Sequence, residues 1–361
     1  MKKLLVLLLM LLAVATASAQ EALPTPQPLL PQEESAAVVT AMFRAASGVT
    51  YEGEKNFRDG MSLEQRLARN EQCALYRAKT LPWLEAALLP YPEEGALPTI
   101  TPAPTATPAP DAEPQILYTT ADSYAAFGEN ELGQAFLALL APLGGVDEES
   151  CLALSKRIAQ EWMAQVDHAK LLEMNEDYLF WIYAPGTQID YPVVQDEGNE
   201  YYLNHLFGGQ RNASGTLFVD YRNLPDFQDP NTIIYGHHMR NDSMFGSLTD
   251  YEDQEYYEAN PYMLIFGEEQ IALLEVFSGY VTDSGDHCYN LAISGEKEMN
   301  YFITRAEQKS NFNTGLTVTH LDHIVTLSTC AYVFENARYV VLGRMHTIWE
   351  KPEEWMLVSA P

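Results

Sequence analysis

The sequence predicts a mainly β fold, closed or sandwiched, with helices packed ahead of it. From Tyr178 onward eight short runs rich in Val, Ile, Leu, Phe, Tyr and Thr follow one another, separated by Gly, Pro, Asn and Asp, the texture of strands joined by turns. Ahead of them, apolar residues recur at helical spacing. A single helical stretch, residues 295–312, interrupts the strand runs.

The chain opens with "MKKLLVLLLMLLAVATASAQ". Lys2 and Lys3 precede an apolar run from Leu4, and Ala17-Ser18-Ala19 is a small-residue cleavage pattern, so residues 1–19 read as an export segment. It is either a cleaved signal peptide or a retained anchor, because the run falls just short of the roughly 20 residues that span a bilayer. A proline-rich spacer follows at 20–35, including "LPTPQPLLP". A helical segment occupies 36–93, with helical spacing at 34–46 and at 63–89 through Leu63, Leu67, Cys73, Leu75, Leu81 and Leu84. A second proline-rich stretch, "LPTITPAPTATPAPDAEP", makes 94–115 an extended linker. Residues 116–361 form the last domain, helical to about 175 with helices expected at 130–140 and 148–172, and β from about 178. No chemical constellation stands out before the linker. A chain beginning near Gln115 is therefore expected to fold alone and to carry the whole site.

The strand runs are "YLFWIYAPG", "IDYPVVQ", "GTLFVDYR", "NTIIYGHHM", "YMLIFG", "QIALLEVFSGYV", "HIVTLSTC" and "RYVVLGRMHTIW". Between the last two, Glu335-Asn336-Ala337 supplies turn residues, so Cys330 and Arg338 face each other across a hairpin mouth. The composition, 47% hydrophobic and 20% charged over 361 residues, is that of a globular chain able to bury a core. Its net charge of −29 lacks the electrostatic footprint of a nucleic-acid binder, and nucleic acid is excluded as a partner. Any membrane contact is expected through the N-terminal segment.

A cysteine becomes a useful nucleophile when a base or cation favours its thiolate. His237 and His238 end an apolar strand and enter a polar loop, where scaffold strands deliver catalytic groups. Side chains alternate, so Ile233, Tyr235 and His237 share one face while Ile234 and His238 share the other. Only one of the two histidines can face Cys330. Four cysteines suggest two disulfides by arithmetic. A free Cys330 leaves Cys73, Cys151 and Cys288 as an odd count, and no disulfide is expected. His320 and His323 have metal-like spacing but no accompanying Cys or acidic cluster, so no metal or other cofactor is expected.

These motifs also occur together. "DYPVVQ" at 190–195, "NEYYLNHLFGG" at 199–209, "GTLFVDYRN" at 215–223, "NTIIYGHHM" at 231–239, "MFGSL" at 244–248 and "TLSTC" at 326–330 resemble, in order, the sortase family of Gram-positive cysteine transpeptidases. The helices ahead of the strands and the helix inserted before the cysteine strand are similar to class B. The resemblance implies an eight-stranded sortase-type β-barrel bearing these helices. It implies Cys330 as nucleophile, His237 as acid/base partner and Arg338 as the cation beside the substrate carbonyl; strand parity puts Arg344 on the same face as Arg338, as a backup for the cationic role. It also implies that Asn199, Leu203, Ser328 and Tyr301 contact the substrate peptide. The implied partners are sorting-signal peptides of exported proteins and an amine acceptor from a peptidoglycan precursor or a pilin. The implied location is the extracellular face of the membrane or the cell wall, or the medium if the signal is cleaved. Two other classes compete: an L,D-transpeptidase, whose cysteine motif sets an Arg within two residues as "TCAYVFENAR" does not, and a non-catalytic surface adhesion module.

Overall fold

The computed structural model describes residues 28–48, 61–90, 117–331 and 336–351; the export segment at 1–19 and the linker at 94–115 lie outside the described residues. Among the described residues, six α-helices precede the strands. The first, α1 (Gln32–Ser47), stops at Gly48, whose φ of 75° is the left-handed cap that glycine adopts without strain. A capping box between Ser62 and Gln65 starts α2 (Leu63–Leu88). Thr119 with Asp122 starts α3 (Thr120–Glu129), a helix the sequence spacing did not reveal, and Asn130 accepts from the first amides of α4 (Glu131–Leu140). Where one helix was expected over 148–172 there are two, α5 (Glu148–Met163) and α6 (His168–Met174), because the chain turns after Met163 and Asp167 caps a new start.

The strands are β1 (Tyr178–Tyr183), β2 (Asp190–Val194), β3 (Leu217–Val219), β4 (Asn231–Tyr235), β5 (Tyr262–Phe266), β6 (Gln270–Asp283), β7 (His323–Cys330) and β8 (Ala337–Glu350). They close into a barrel in the order β1-β2-β3-β4-β7-β8-β6-β5, with β5 returning to β1. The pairs β2/β3 and β4/β7 are parallel, and the others antiparallel. A short helix, α7 (Gln254–Ala259), precedes β5, and the inserted helix α8 (Gly295–Lys309) lies between β6 and β7.

Alternation sorts each strand into an inner and an outer face. Ile182, Val193, Leu217, Ile234, Val325, Leu327 and Val341 fill the barrel interior. On the outside, α8 covers β6 and β8 with Met299, Phe302 and Ile303 against Tyr280, Val340 and Leu342. The N-terminal helices cover a different outer face: Trp83, Leu84 and Leu88 of α2 and Val39 and Met42 of α1 share one core with Phe127, Phe136, Ile158, Tyr262, Leu264 and Leu273. Polar ties add to it. Arg77, buried on α2, donates to the Thr314 carbonyl at 2.8 Å, Arg69 pairs with Glu258 at 3.1 Å, and His346 on β8 pairs with Glu85 at 2.9 Å.

This packing bears on the expectation that a chain beginning near Gln115 folds unaided, since such a chain would leave uncovered the faces that α1 and α2 bury. Trp83 is fully buried and packs edge-on against Phe127. Trp83→Ala should destabilise the protein by about 3–5 kcal/mol in urea unfolding, the usual cost of emptying a buried aromatic site. A loss below about 1 kcal/mol would mean that the helices do not dock on the barrel. The second expectation concerns pH. Glu85 raises the His346 pKa above its ordinary value, its hydrogen bond outweighing burial, with Glu275 adding to the rise and Arg344 opposing it. A raised folded pKa stabilises fully below the unfolded value of about 6.5 and is lost as pH rises through the folded value. The Tm difference between wild type and His346→Gln should therefore shrink as pH rises from about 6 to about 8. A difference that widens would overturn the stabilising role of the His346–Glu85 pair.

Candidate active site

Three adjacent strands bring the site together. Cys330 is the last residue of β7 and pairs directly with Arg338 on β8. On the other side of β7, Tyr235 pairs with Ser328 in parallel register, and the Gly236 amide donates to the Ser328 carbonyl at 3.1 Å. Thr329 returns a hydroxyl bond to the Gly236 carbonyl at 2.9 Å. His237 therefore enters two residues beyond β4, at the level of Cys330. Gly236 is required there: a Cβ would lie 2.4 Å from Leu217 and 2.6 Å from Phe245.

His237, Cys330 and Arg338 line one cleft of about 600 Å³, together with Asn199, Leu203 and Ser328. The lining includes His237 but not His238, as strand parity requires. His237 donates through Nε2 to the Leu203 carbonyl at 2.7 Å, which orients the ring and leaves Nδ1 without the backbone tie. Its own carbonyl accepts from Phe245 at 3.0 Å, so the loop after β4 fixes both ends of the residue. Arg338, half-buried, donates to the carbonyls of Ala337 at 3.1 Å and Asn336 at 3.3 Å, and Asn336 turns the chain with a φ of 63°. Asn199 accepts from the Tyr221 amide at 3.0 Å, and Ser328 bonds the Tyr289 hydroxyl at 2.8 Å. Leu203 thus has a second part besides the one the resemblance implies, because its backbone holds the histidine.

Tyr301 is placed differently from the expectation. It is exposed on α8, with its ring 5.3 Å from that of His287, and His287 rather than Tyr301 faces the cleft. Arg344 lies on the strand face of Arg338 but six residues away, where it pairs with Glu275 at 2.7 Å. Of the two arginines, Arg338 lines the cleft and Arg344 does not. His320 and His323 diverge, one near Glu296 at 4.0 Å and the other donating to the Asp229 carbonyl, and no cluster fit to hold a metal occurs among the described residues. The four cysteines carry free thiols; burial pushes those of Cys73, Cys151 and Cys288 up.

Sequence reasoning missed part of the wall. Arg222 lines the cleft and forms a two-pronged pair with the buried Asp220, both bonds at 2.8 Å, and Tyr235 donates to the same carboxylate at 3.0 Å. Burial works against the Asp220 charge, but Arg222 and Tyr235 outweigh it and its pKa falls below the ordinary value. The signal was present in "DYR", an acid and a base two residues apart at a strand end. The opposite wall, residues 284–290, comes from the loop after β6 and carried no motif.

A β-barrel that delivers cysteine, histidine and arginine from neighbouring strands to one outer cleft is the architecture of a cysteine acyl-transfer enzyme. The chain belongs to the sortase family, and within it to class B. Residues 182–346 match the sortase domain model. Sortase B of Listeria monocytogenes is 32% identical over 49% of this chain and 73% of its own length, and sortase B of Staphylococcus aureus 34% identical over 48% and 72%. The solved structure of Clostridium perfringens sortase B is 36% identical, covering 49% of this chain and 98% of its own, with a TM-score of 0.47.

The two adjacent histidines give a direct test of the strand's register. Losing a positioned acid/base group costs on the order of 10²–10⁴ in rate. His237→Ala should fall by that factor in kcat/KM on a cleavable peptide, whereas His238→Ala should keep most activity. The reverse ranking would place the site on the wrong face of β4.

Proposed function

We propose that this protein is a transpeptidase that cuts a C-terminal sorting motif of exported proteins and passes the acyl group to a cell-wall or pilin amine. The observation that carries the reading is the direct pairing of Cys330 with Arg338, with His237 level on the neighbouring strand, around one open cleft.

The Cys330 thiolate attacks the threonyl carbonyl of the bound motif, and negative charge moves to the carbonyl oxygen. Arg338, permanently cationic and with several donors, stabilises that oxygen or the adjoining peptide backbone. As the tetrahedral centre collapses, the C–N bond breaks and the leaving amine takes a proton from the His237 imidazolium. An acyl thioester remains on Cys330. An incoming amine attacks it, gives up a proton to the now neutral imidazole and frees the thiolate, which restores the starting pair. The Leu203 carbonyl holds the imidazole through both steps. Asn199, Leu203 and Ser328 lie along the cleft where the motif would sit. The N-terminal segment, outside the described residues, would export the protein and hold it at the membrane or release it. An adhesion module has no need of this constellation, and the family assignment leaves the L,D-transpeptidase reading without support.

Cys330→Ala should leave the fold intact, since the half-buried thiol contributes little packing, and should abolish cleavage of a fluorescence-quenched peptide library built on an Xaa-Pro-Xaa-Thr core. Undiminished cleavage by the alanine variant would sink the assignment.

A further inference from the structure

The wall opposite Asn199 and Leu203 is a loop with no strand partner. Between β6 and α8 it holds a single short turn, His287–Tyr289, and still supplies Asp286, His287 and Tyr289 to the cleft. Two side chains tie it down. On the barrel side, the amide of buried Asn231 donates to the carbonyls of Cys288 at 2.8 Å and Asn290 at 3.2 Å. On the helix side the tie is Asp286. Its Oδ1 accepts from the Cys288 amide at 3.0 Å and the Tyr280 hydroxyl at 3.3 Å. Its Oδ2 is ion-paired with Lys309 at the end of α8, with Arg305 one turn earlier at 3.9 Å. Lys309 in turn sits 5.1 Å over the Tyr280 ring.

The turn then hands its position on to the nucleophile strand. Tyr289 is bonded to Ser328 at 2.8 Å, and Ser328 stands two residues before Cys330 on the same face of β7. A continuous path runs from α8 through Lys309, Asp286, the turn and Tyr289 to the strand that ends in the nucleophile. Both carboxylate oxygens of Asp286 are occupied and its side chain is only 5% exposed, so it is placed to hold the wall and not to accept a proton.

We propose that Asp286 is a positioning residue of the reaction: through Lys309 and Arg305 it clamps the cleft wall at 284–290 to α8 and so sets Tyr289 against Ser328 beside the bound peptide. The proposal rests on the transpeptidase reading for its kinetic consequence. Burial disfavours the Asp286 charge, but Lys309 and the Cys288 amide outweigh it and hold the carboxyl down at about 2, so the clamp stays closed across neutral and mildly acid pH. Asparagine keeps the shape but cannot pair with the ammonium.

The test compares Asp286→Asn, Lys309→Met and Lys309→Arg with wild type on the best-cleaved peptide of the library, and follows hydrogen–deuterium exchange of the amides at 288–290. Asp286→Asn and Lys309→Met should raise KM about tenfold or more while kcat stays within about threefold, the mark of lost binding geometry and not of lost chemistry. Lys309→Arg should restore KM. In both defective variants the amides at 288–290 should exchange faster while those of β7 and β8 do not. An unchanged KM in both variants, or unchanged exchange at 288–290, overturns the clamp. Should Asp286→Asn fail to fold, the Lys309 pair decides alone. Should wild type cleave none of the peptides, the transpeptidase reading falls and the exchange comparison settles the clamp by itself.

Discussion

The site depends on the parallel register of β4 with β7. Asn231, at the head of β4 and wholly buried, fixes it: its Oδ1 accepts from the Thr326 hydroxyl at 2.7 Å, across the pair, while its backbone pairs with Ile324. A slip of one residue along β7 would turn Cys330 into the barrel and Thr329 out of it. Because the same asparagine also holds the turn at Cys288 and Asn290, one buried side chain sets both the level of Cys330 and the position of the facing wall. An Asn with all its donors and acceptors satisfied in a dry interior makes alternative registers costly, since each would strand several polar atoms.

The barrel serves two faces at once, and β6 is where the change is made. In its first half Ile271 and Leu273 point outward to the N-terminal helices while Leu274 and Val276 point inward. The register shifts between Val276 and Ser278. Beyond this bulge Ser278 donates to the Ala306 carbonyl of α8, and Tyr280 joins the α8 core, so even-numbered residues now face out. The interior packing runs through both halves without interruption, which lets one face be spent on stability and the other on the cleft.

Much of this was legible in the chain, for physical reasons. Strands that are apolar on the inside and covered on the outside produce dense Val/Ile/Leu/Tyr runs, and each of the eight observed strands coincides with a quoted run, β6 reaching past its run to Asp283 and β8 exceeding its run by one residue at each end. His237, Cys330 and Arg338 stand at strand ends, where short-range pattern and turn residues locate them. What escaped notice depends on distant partners. Helix α3 begins with a capping box that only its fit against α2 and α4 makes decisive, and the break after Met163 has no glycine or proline to announce it. Tyr301 has the chemistry of a substrate contact, but α8 directs it to solvent beside His287. Asp286 is unremarkable in sequence because its meaning comes from Lys309, 23 residues later. The role of the early helices was hidden for the same reason: Arg77 reads as one more helical surface charge until its partner, the Thr314 carbonyl 237 residues away, is known.

Charge has a similar two-scale logic. The chain carries −29, yet the groups facing the cleft include Arg222, His237, His287 and Arg338. The carboxylates nearby are neutralised in place, Asp220 by Arg222 and Asp286 by Lys309. Over a Debye length of about 8 Å the surface carboxylates are largely screened from one another and from the cleft, so the global excess and the local deficit of negative charge coexist. Inside the cleft the short-range terms win. Arg338 stands directly across from Cys330, while the charges of Asp220 and Asp286 are already engaged by Arg222 and Lys309. The acidic surface therefore bears on what approaches the molecule, while the strand register sets which side chains stand beside Cys330.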